Sequence, residues 1–214
     1  MASTPVLILA SASPRRADLL ARVGIPFIRR PVAVAEDVLP GEPGPDAALR
    51  LARAKARSAR EDADPGDAPL LACDTLVCCG GAVFGKPSDR TEARAMLRAL
   101  SGRWHEVVTG IVLARPTGEI AADSVVTRVR FARLESWEID RYVDGGEPLG
   151  KAGAYAIQGA GAWFVERVEG SVTNVIGLPL ERLRAMLLTA GHPGPSLRGP
   201  GGPGQSPASE RNFS

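Results

Sequence analysis

The segment LASASPRRADLL, residues 9–20, places two serines, a proline and two adjacent arginines between an apolar run and an amphipathic one. Proline suits the first position of a helix and serine suits the N-cap, so the segment reads as a strand turning through Ser11 and Ser13 into a helix that opens at Pro14. Arginines on a solvated helix face need no special explanation. Arg15 and Arg16, however, fall in the first turn, where unpaired backbone N–H groups and the positive helix end already gather. Hydroxyls, guanidinium groups and a helix start at one corner favour an anion, and a phosphate chain is the anion such corners hold. In LACDTLV, Asp74 and Thr75 interrupt an apolar run, and a carboxylate there needs a lysine or a metal ion as partner. In FGKP, Gly85 permits close backbone approach while Pro87 limits Lys86 to extended conformations, so its ammonium is held toward one place.

Alternating strands and helices position these groups. PVLILA, residues 5–10, reads as a buried strand, and residues 14–23 as a helix with Ser13 as N-cap and Gly24 as its stop. A second helix is expected from Asp46 to Arg60, with Leu49, Ala52 and Ala56 on one face and Lys55 beside them. APLLACDTLVCCGG predicts a central strand ending in a Gly-Gly turn. The next segment predicts a helix opened by Asp89 and Glu92 at capping-box spacing and closed by Gly102. VVTGIVLA and SVVTRVRFARL are rich in β-branched residues and read as strands, the second with one wetter face. SWEIDRYVDGG reads as a helix, AWFVERVEG as a strand and LPLERLRAMLLTAG as a closing amphipathic helix. The alternation predicts an α/β sheet. From residue 191 the chain turns rich in Gly and Pro with few bulky apolar residues, the composition of a disordered tail over 191–214.

Composition excludes several classes. A chain of 214 residues, 44% hydrophobic and 23% charged, is that of a globular domain. Its apolar runs fall well short of the roughly 18 residues a membrane span requires. The amino terminus has no basic segment and an apolar run of about five residues, too short for a secretory signal, so a cytoplasmic protein is expected. A net charge of +2 with 5% aromatic residues gives no basic stripe interleaved with aromatics, so stable nucleic-acid binding is not expected. Cys73, Cys78 and Cys79 are odd in number and lack zinc-site spacing, which reads as buried strand cysteines.

LASASPRRADLLARVGI resembles the signature of the Maf family of nucleoside triphosphate pyrophosphatases, and further landmarks follow in order. They are Glu36 in VAED, Lys55 in RLARAKA, Asp74 and Thr75 in ACDTLV, GKP at 85–87, LSGRWHEVVTG at 100–110, and GKAGAYAIQGAGAWFVERVEGSVTNVIGLPL at 150–180. The likeness spans residues 5–190 and is specific in combination, although GKP or DT alone would mean little. Gly150 stands where an aspartate is common in the family, and Cys78–Cys79 is an unusual sequel to the DT strand. The resemblance implies a mixed twisted central sheet flanked by helices, in two lobes with an active-site cleft between them, the Maf/Ham1-like arrangement, in one domain over residues 1–190. Within the family, Arg15 directly after Pro14, Thr75 directly after Asp74, and Gln158 mark the branch acting on dTTP and UTP. The branch acting on 7-methyl-GTP is the alternative those markers disfavour.

The activity so implied is hydrolysis of a nucleoside triphosphate to monophosphate and diphosphate, which needs a divalent cation, charge neutralisation and a base for water. By resemblance Asp74 is the proton acceptor, and Glu36 is the second carboxylate holding Mg²⁺ or Mn²⁺; from the residues alone Glu36 would pass for a solvated surface glutamate. Ser11, Ser13, Arg15, Arg16, Lys55 and Lys86 are assigned to the phosphates. Gln158 carries both a donor and an acceptor, as the O4/N3–H/O2 edge of uracil and thymine requires, and shares specificity with Arg15 and Thr75. Without the family, Gln158 would read as a turn residue before Gly159. Tyr155 and Trp163 are expected in the core or the cleft wall, His105 in a structural role, and Thr109 and Asn174 remain unassigned polar residues near the cleft. The resemblance also allows a homodimer, and, from a different class, a nucleotide sensor acting on septum formation without turnover.

Overall fold

The computed structural model describes residues 6–61, 68–115, 117–192 and 194. Most of the expected tail, 195–214, lies outside the described residues.

Four fully buried residues, Leu7–Ala10, form β1, and helix α1 follows at Pro14–Arg22. Ser13 takes the N-cap position as expected, but its hydroxyl makes no capping bond. Helix α2 spans Gly44–Glu61 and turns a small-residue face of Ala47, Ala48, Leu51, Ala52, Ala56 and Ala59 inward. Strand β3, Leu70–Cys79, runs through the middle of the molecule. Helix α3, Arg90–Leu100, is capped by Asp89, which accepts from the Glu92 N–H at 2.8 Å. The reciprocal half of the anticipated capping box is displaced by one residue: Glu92 accepts from the N–H and hydroxyl of Ser88.

Three elements were too short to be read from periodicity. They are β2 (Phe27–Arg29), β4 (Ala82–Phe84) and α5 (Val172–Ile176). Strands β5 (Trp104–Arg115) and β6 (Gly118–Phe131) are longer than their β-branched cores suggest. Helix α4 covers Ser136–Asp144 and α6 covers Leu180–Thr189. The segment AWFVERVEG divides into a 3₁₀ turn at Ala160–Phe164 and β7 at Val165–Glu169.

The strands make one mixed seven-stranded sheet in the order β2-β1-β3-β5-β6-β7, with β4 beside β3. One edge of β3 is paired with β5 from Leu70 to Cys78. The other edge is divided: β1 lies parallel along Leu70–Ala72, and β4 lies antiparallel along Val77–Cys79. Between them the edge facing β1 and β4 is open at residues 73–76, which include Asp74 and Thr75.

Because side chains alternate along a strand, the same gap divides the packing on both faces. On one face Leu70 and Ala72 pack with Ala52, Ala56 and Ala59, while Leu76 packs with Ala47, Ala48 and Leu51. On the other face Leu71 and Cys73 join a core with α1 and α6, while Val77 and Cys79 join one with α3, α4, Phe131 and Tyr155. Asp74 separates the first pair of clusters and Thr75 the second. The two lobes are thus halves of one continuous sheet, parted where β3 loses its neighbour.

Candidate active site

A cleft of about 290 Å³ opens at this fork. Every residue named above for catalysis, metal or substrate lines it: Ser11, Ser13, Arg15, Arg16, Glu36, Lys55, Asp74, Thr75, Lys86 and Gln158. Residues up to 147 positions apart in sequence therefore meet because β1 and the turn after α4 both lead to the open stretch of β3.

On the α2 face the lining is charged. Lys55 projects from the buried side of α2, and its Nζ donates to Asp74 Oδ1 and, at 2.6 Å, to Glu36 Oε1. Lys86 Nζ donates to the other oxygen, Glu36 Oε2, also at 2.6 Å. Asp74 is 3% exposed, so the partner its apolar surroundings required is Lys55. Burial pushes the Glu36 carboxyl up, but hydrogen bonds and charge from Lys55 and Lys86 outweigh it and leave the group below its ordinary value.

On the α1 face the lining is largely apolar: Val77, Val107, Tyr155 and Val175, with Gln158 at the rim. Arg16, itself buried, is held there by protein acceptors. Its Nε donates to Gly177 O at 2.7 Å, Nη1 to Ser11 Oγ at 3.0 Å and Nη2 to Thr75 Oγ1 at 3.0 Å. Ser11 Oγ also accepts from the Ser13 N–H at 3.2 Å, which fixes the turn into α1. Arg15 makes no such bonds among the described residues. Its pKa is lowered by burial and then by the neighbouring charge of Arg16, so an anion in the cleft would relieve it.

Lys151 is a lining residue that the sequence reading quoted but passed over. It stands in a glycine-flanked turn after α4, and its Nζ donates to Glu147 O. Burial, followed by the charge of Arg15, lowers its pKa, with Glu147 opposing. The usable signal was the same as for Lys86, a lysine pinned beside a glycine.

Tyr155 serves as both cleft wall and core, as expected. Trp163 does neither: it is 80% exposed, its indole N–H reaching Glu138 at 3.3 Å. Placed next to last in a 3₁₀ turn leading to an edge strand, it faces outward while Phe164 takes the core position. His105 is structural, buried against Phe131 and 3.0 Å from Tyr155 Oη. Thr109 and Asn174 lie fully buried beneath the cleft.

Among the described residues, no group of three or more His, Cys, Asp or Glu side chains could hold a metal ion. Glu36 and Asp74 still suit a hard divalent cation, because Mg²⁺ commonly takes one or two carboxylates and completes its shell with water and substrate phosphate. The Lys55 ammonium already draws both carboxylates to one positive charge, which establishes that they converge.

The cleft thus gathers Lys55, Lys86, Glu36 and Asp74 on the α2 side of the sheet and sets an apolar wall of Val77, Val107, Tyr155 and Val175 beside Arg16 and Thr75 on the other. The chain belongs to the family described as Maf-like protein, whose model matches residues 6–190. It is 55% identical over 194 residues to the dTTP/UTP pyrophosphatase of Anaeromyxobacter dehalogenans, a match covering 89% of this chain and 97% of the relative. It is 48% identical over 185 residues to the protein of the same name from Methylobacillus flagellatus, covering 86% and 92%. A solved nucleoside-triphosphatase / dITP/XTP pyrophosphatase from Mycobacterium abscessus aligns at 18% identity and a TM-score of 0.41, over 86% of this chain and 95% of its own.

Proposed function

We propose that this protein hydrolyses dTTP and UTP, and modified pyrimidine triphosphates of the same edge pattern, to the nucleoside monophosphate and diphosphate. Its role would be to keep unwanted nucleotides out of nucleic acids, as a cytoplasmic enzyme dependent on Mg²⁺ or Mn²⁺. The observation that carries the proposal is the pairing of Asp74 and Glu36 through Lys55 in the same cleft as the apolar wall of Val77, Val107 and Tyr155. The names of the relatives support the same reading.

In this reading Arg15, Lys86 and Lys151, with the hydroxyls of Ser11 and Ser13, bind the triphosphate. Asp74 accepts the proton from the attacking water at a carboxylate oxygen, and Lys55 fixes the orientation of that carboxylate. A divalent cation held by Glu36 and Asp74 would supply neutralisation of the charge that builds on the phosphate oxygens. Thr75 and Gln158 meet the base, and the apolar wall of Val77, Val107 and Val175 excludes water from its faces. Attack at the α-phosphorus releases diphosphate.

Diphosphate release from dTTP, UTP, CTP and 7-methyl-GTP, measured with Mg²⁺ and with a chelator, tests the reading. Release from dTTP and UTP that the chelator removes is the expected result. Turnover of 7-methyl-GTP alone would overturn the substrate assignment.

A further inference from the structure

Resting on that reading, we infer that Thr109 and Arg16 are positioning residues that lock the Thr75 hydroxyl as a pure acceptor toward the base. The lock makes the slot select for a ring N3–H, and so for uracil and thymine against cytosine. The argument is a count of protons. Thr109 and Thr75 stand directly opposite each other on β5 and β3, with their hydroxyl oxygens 2.9 Å apart. Thr109 Oγ1 is also 3.2 Å from the main-chain oxygen of Asn174, which can only accept.

A hydroxyl has a single proton. Only one assignment puts a proton in every contact: Thr109 donates to Asn174 O, and Thr75 donates to Thr109. Arg16 Nη2, which can only donate, occupies one lone pair of Thr75 Oγ1 at 3.0 Å. What remains on Thr75, a residue that lines the cleft, is its second lone pair.

The acceptor at the end of this chain is itself fixed. Asn174 is fully buried, and its Nδ2 donates to Val107 O and to Thr127 Oγ1, each at 3.0 Å. Thr109 is fully buried as well, so water cannot replace Thr75 as the donor to its hydroxyl oxygen. Uracil and thymine carry a donor at N3, whereas cytosine carries an acceptor there. Against a locked acceptor, cytosine N3 meets a lone pair with no proton between them. An unpaired polar group in an enclosed site is the strong form of discrimination.

The test is the ratio of kcat/KM for UTP over CTP in the wild type, Thr109→Val and Thr109→Ser. The wild type should favour UTP on the order of a hundredfold or more. Valine keeps the shape but accepts no proton, which frees the Thr75 hydroxyl to turn and donate into the cleft, so the ratio should fall by about tenfold or more. Serine, which restores the acceptor, should restore the ratio. A ratio in Thr109→Val equal to that of the wild type overturns the inference, as does a wild type indifferent between UTP and CTP. Should Thr109→Val fail to fold, 3-deaza-UTP with the wild-type protein decides: it lacks the N3–H without added bulk. Cleavage as efficient as that of UTP overturns the inference, and a loss of about tenfold or more supports it. If the wild type turned over no nucleotide, the activity reading would fall by itself. Calorimetric affinities of UMP and CMP for the same proteins would then read the lock: a UMP preference lost in Thr109→Val supports it, and equal affinities contradict it.

Discussion

At the scale of single residues, His105 is the group whose charging the fold most directly opposes. Burial against Phe131 and Tyr155 pushes its pKa down to about 4, and a backbone hydrogen bond involving Arg103 only partly offsets this. The ordinary value is 6.5. Between these values the unfolded chain binds a proton that the folded chain refuses, so the contribution to stability is complete above pH 6.5 and is lost as pH falls toward 4. Urea unfolding should show about 2–3 kcal/mol lost between pH 7 and pH 4.5 from this group. His105→Gln should flatten that segment of the profile; an unchanged slope would assign the loss to other groups. Few such residues announce themselves. The Ser-Pro-Arg-Arg corner was legible because capping and dipole rules act within one turn of chain. The partners of Asp74 and His105 were not, because they come from 19 and 50 positions away.

At the scale of elements, the distance between α2 and the sheet sets where Lys55 sits. Gly110 on β5 is the register partner of Asp74, and a Cβ there would lie 2.1 Å from Ala48 O in the α2 backbone. Side-chain motion cannot relieve a clash with backbone, so Gly110→Ala must move the helix. The expected cost is about 1–3 kcal/mol in urea unfolding. A loss of diphosphate release larger than the loss of folded protein should accompany it, as Lys55 is carried away from Asp74. Full activity in a folded Gly110→Ala protein would contradict the claim that this contact positions the site. Periodicity disclosed α1, α2, α3, α4 and α6 because each presents an apolar stripe over two or more turns. It did not disclose β2, β4 and α5, which have three to five residues each and are held by neighbours. Helix α5 did carry local signals, a Ser171 N-cap bonded to the Asn174 N–H and Gly177 in the left-handed region.

At the scale of the whole molecule, function follows from one topological fact: β3 has a complete neighbour on one edge and a divided one on the other. Ligand sites in α/β sheets commonly open where the strand order parts, and here the opening exposes both faces of one strand, Asp74 to the charged side and Thr75 to the apolar side. The alternation of strands and helices disclosed the α/β class. The fork itself is a long-range property that no local pattern encodes, and the family motifs located its residues without explaining why they meet. Among the described residues the cleft is lined by residues between 10 and 177, and the Gly/Pro-rich end of the chain is proposed to be dispensable for it. A chain ending at Gly194 should retain the melting temperature and kcat/KM of the full chain, and a fall in either would give the end a structural part.

The most direct test of the account is Asp74→Asn beside the wild type, with UTP turnover and UTP binding measured on the same preparations. The account predicts that diphosphate release falls by about 10²–10⁴-fold or more while binding persists, since the amide keeps the shape but accepts no proton from water. Turnover within a few-fold of wild type would contradict it and remove Asp74 from the role of base.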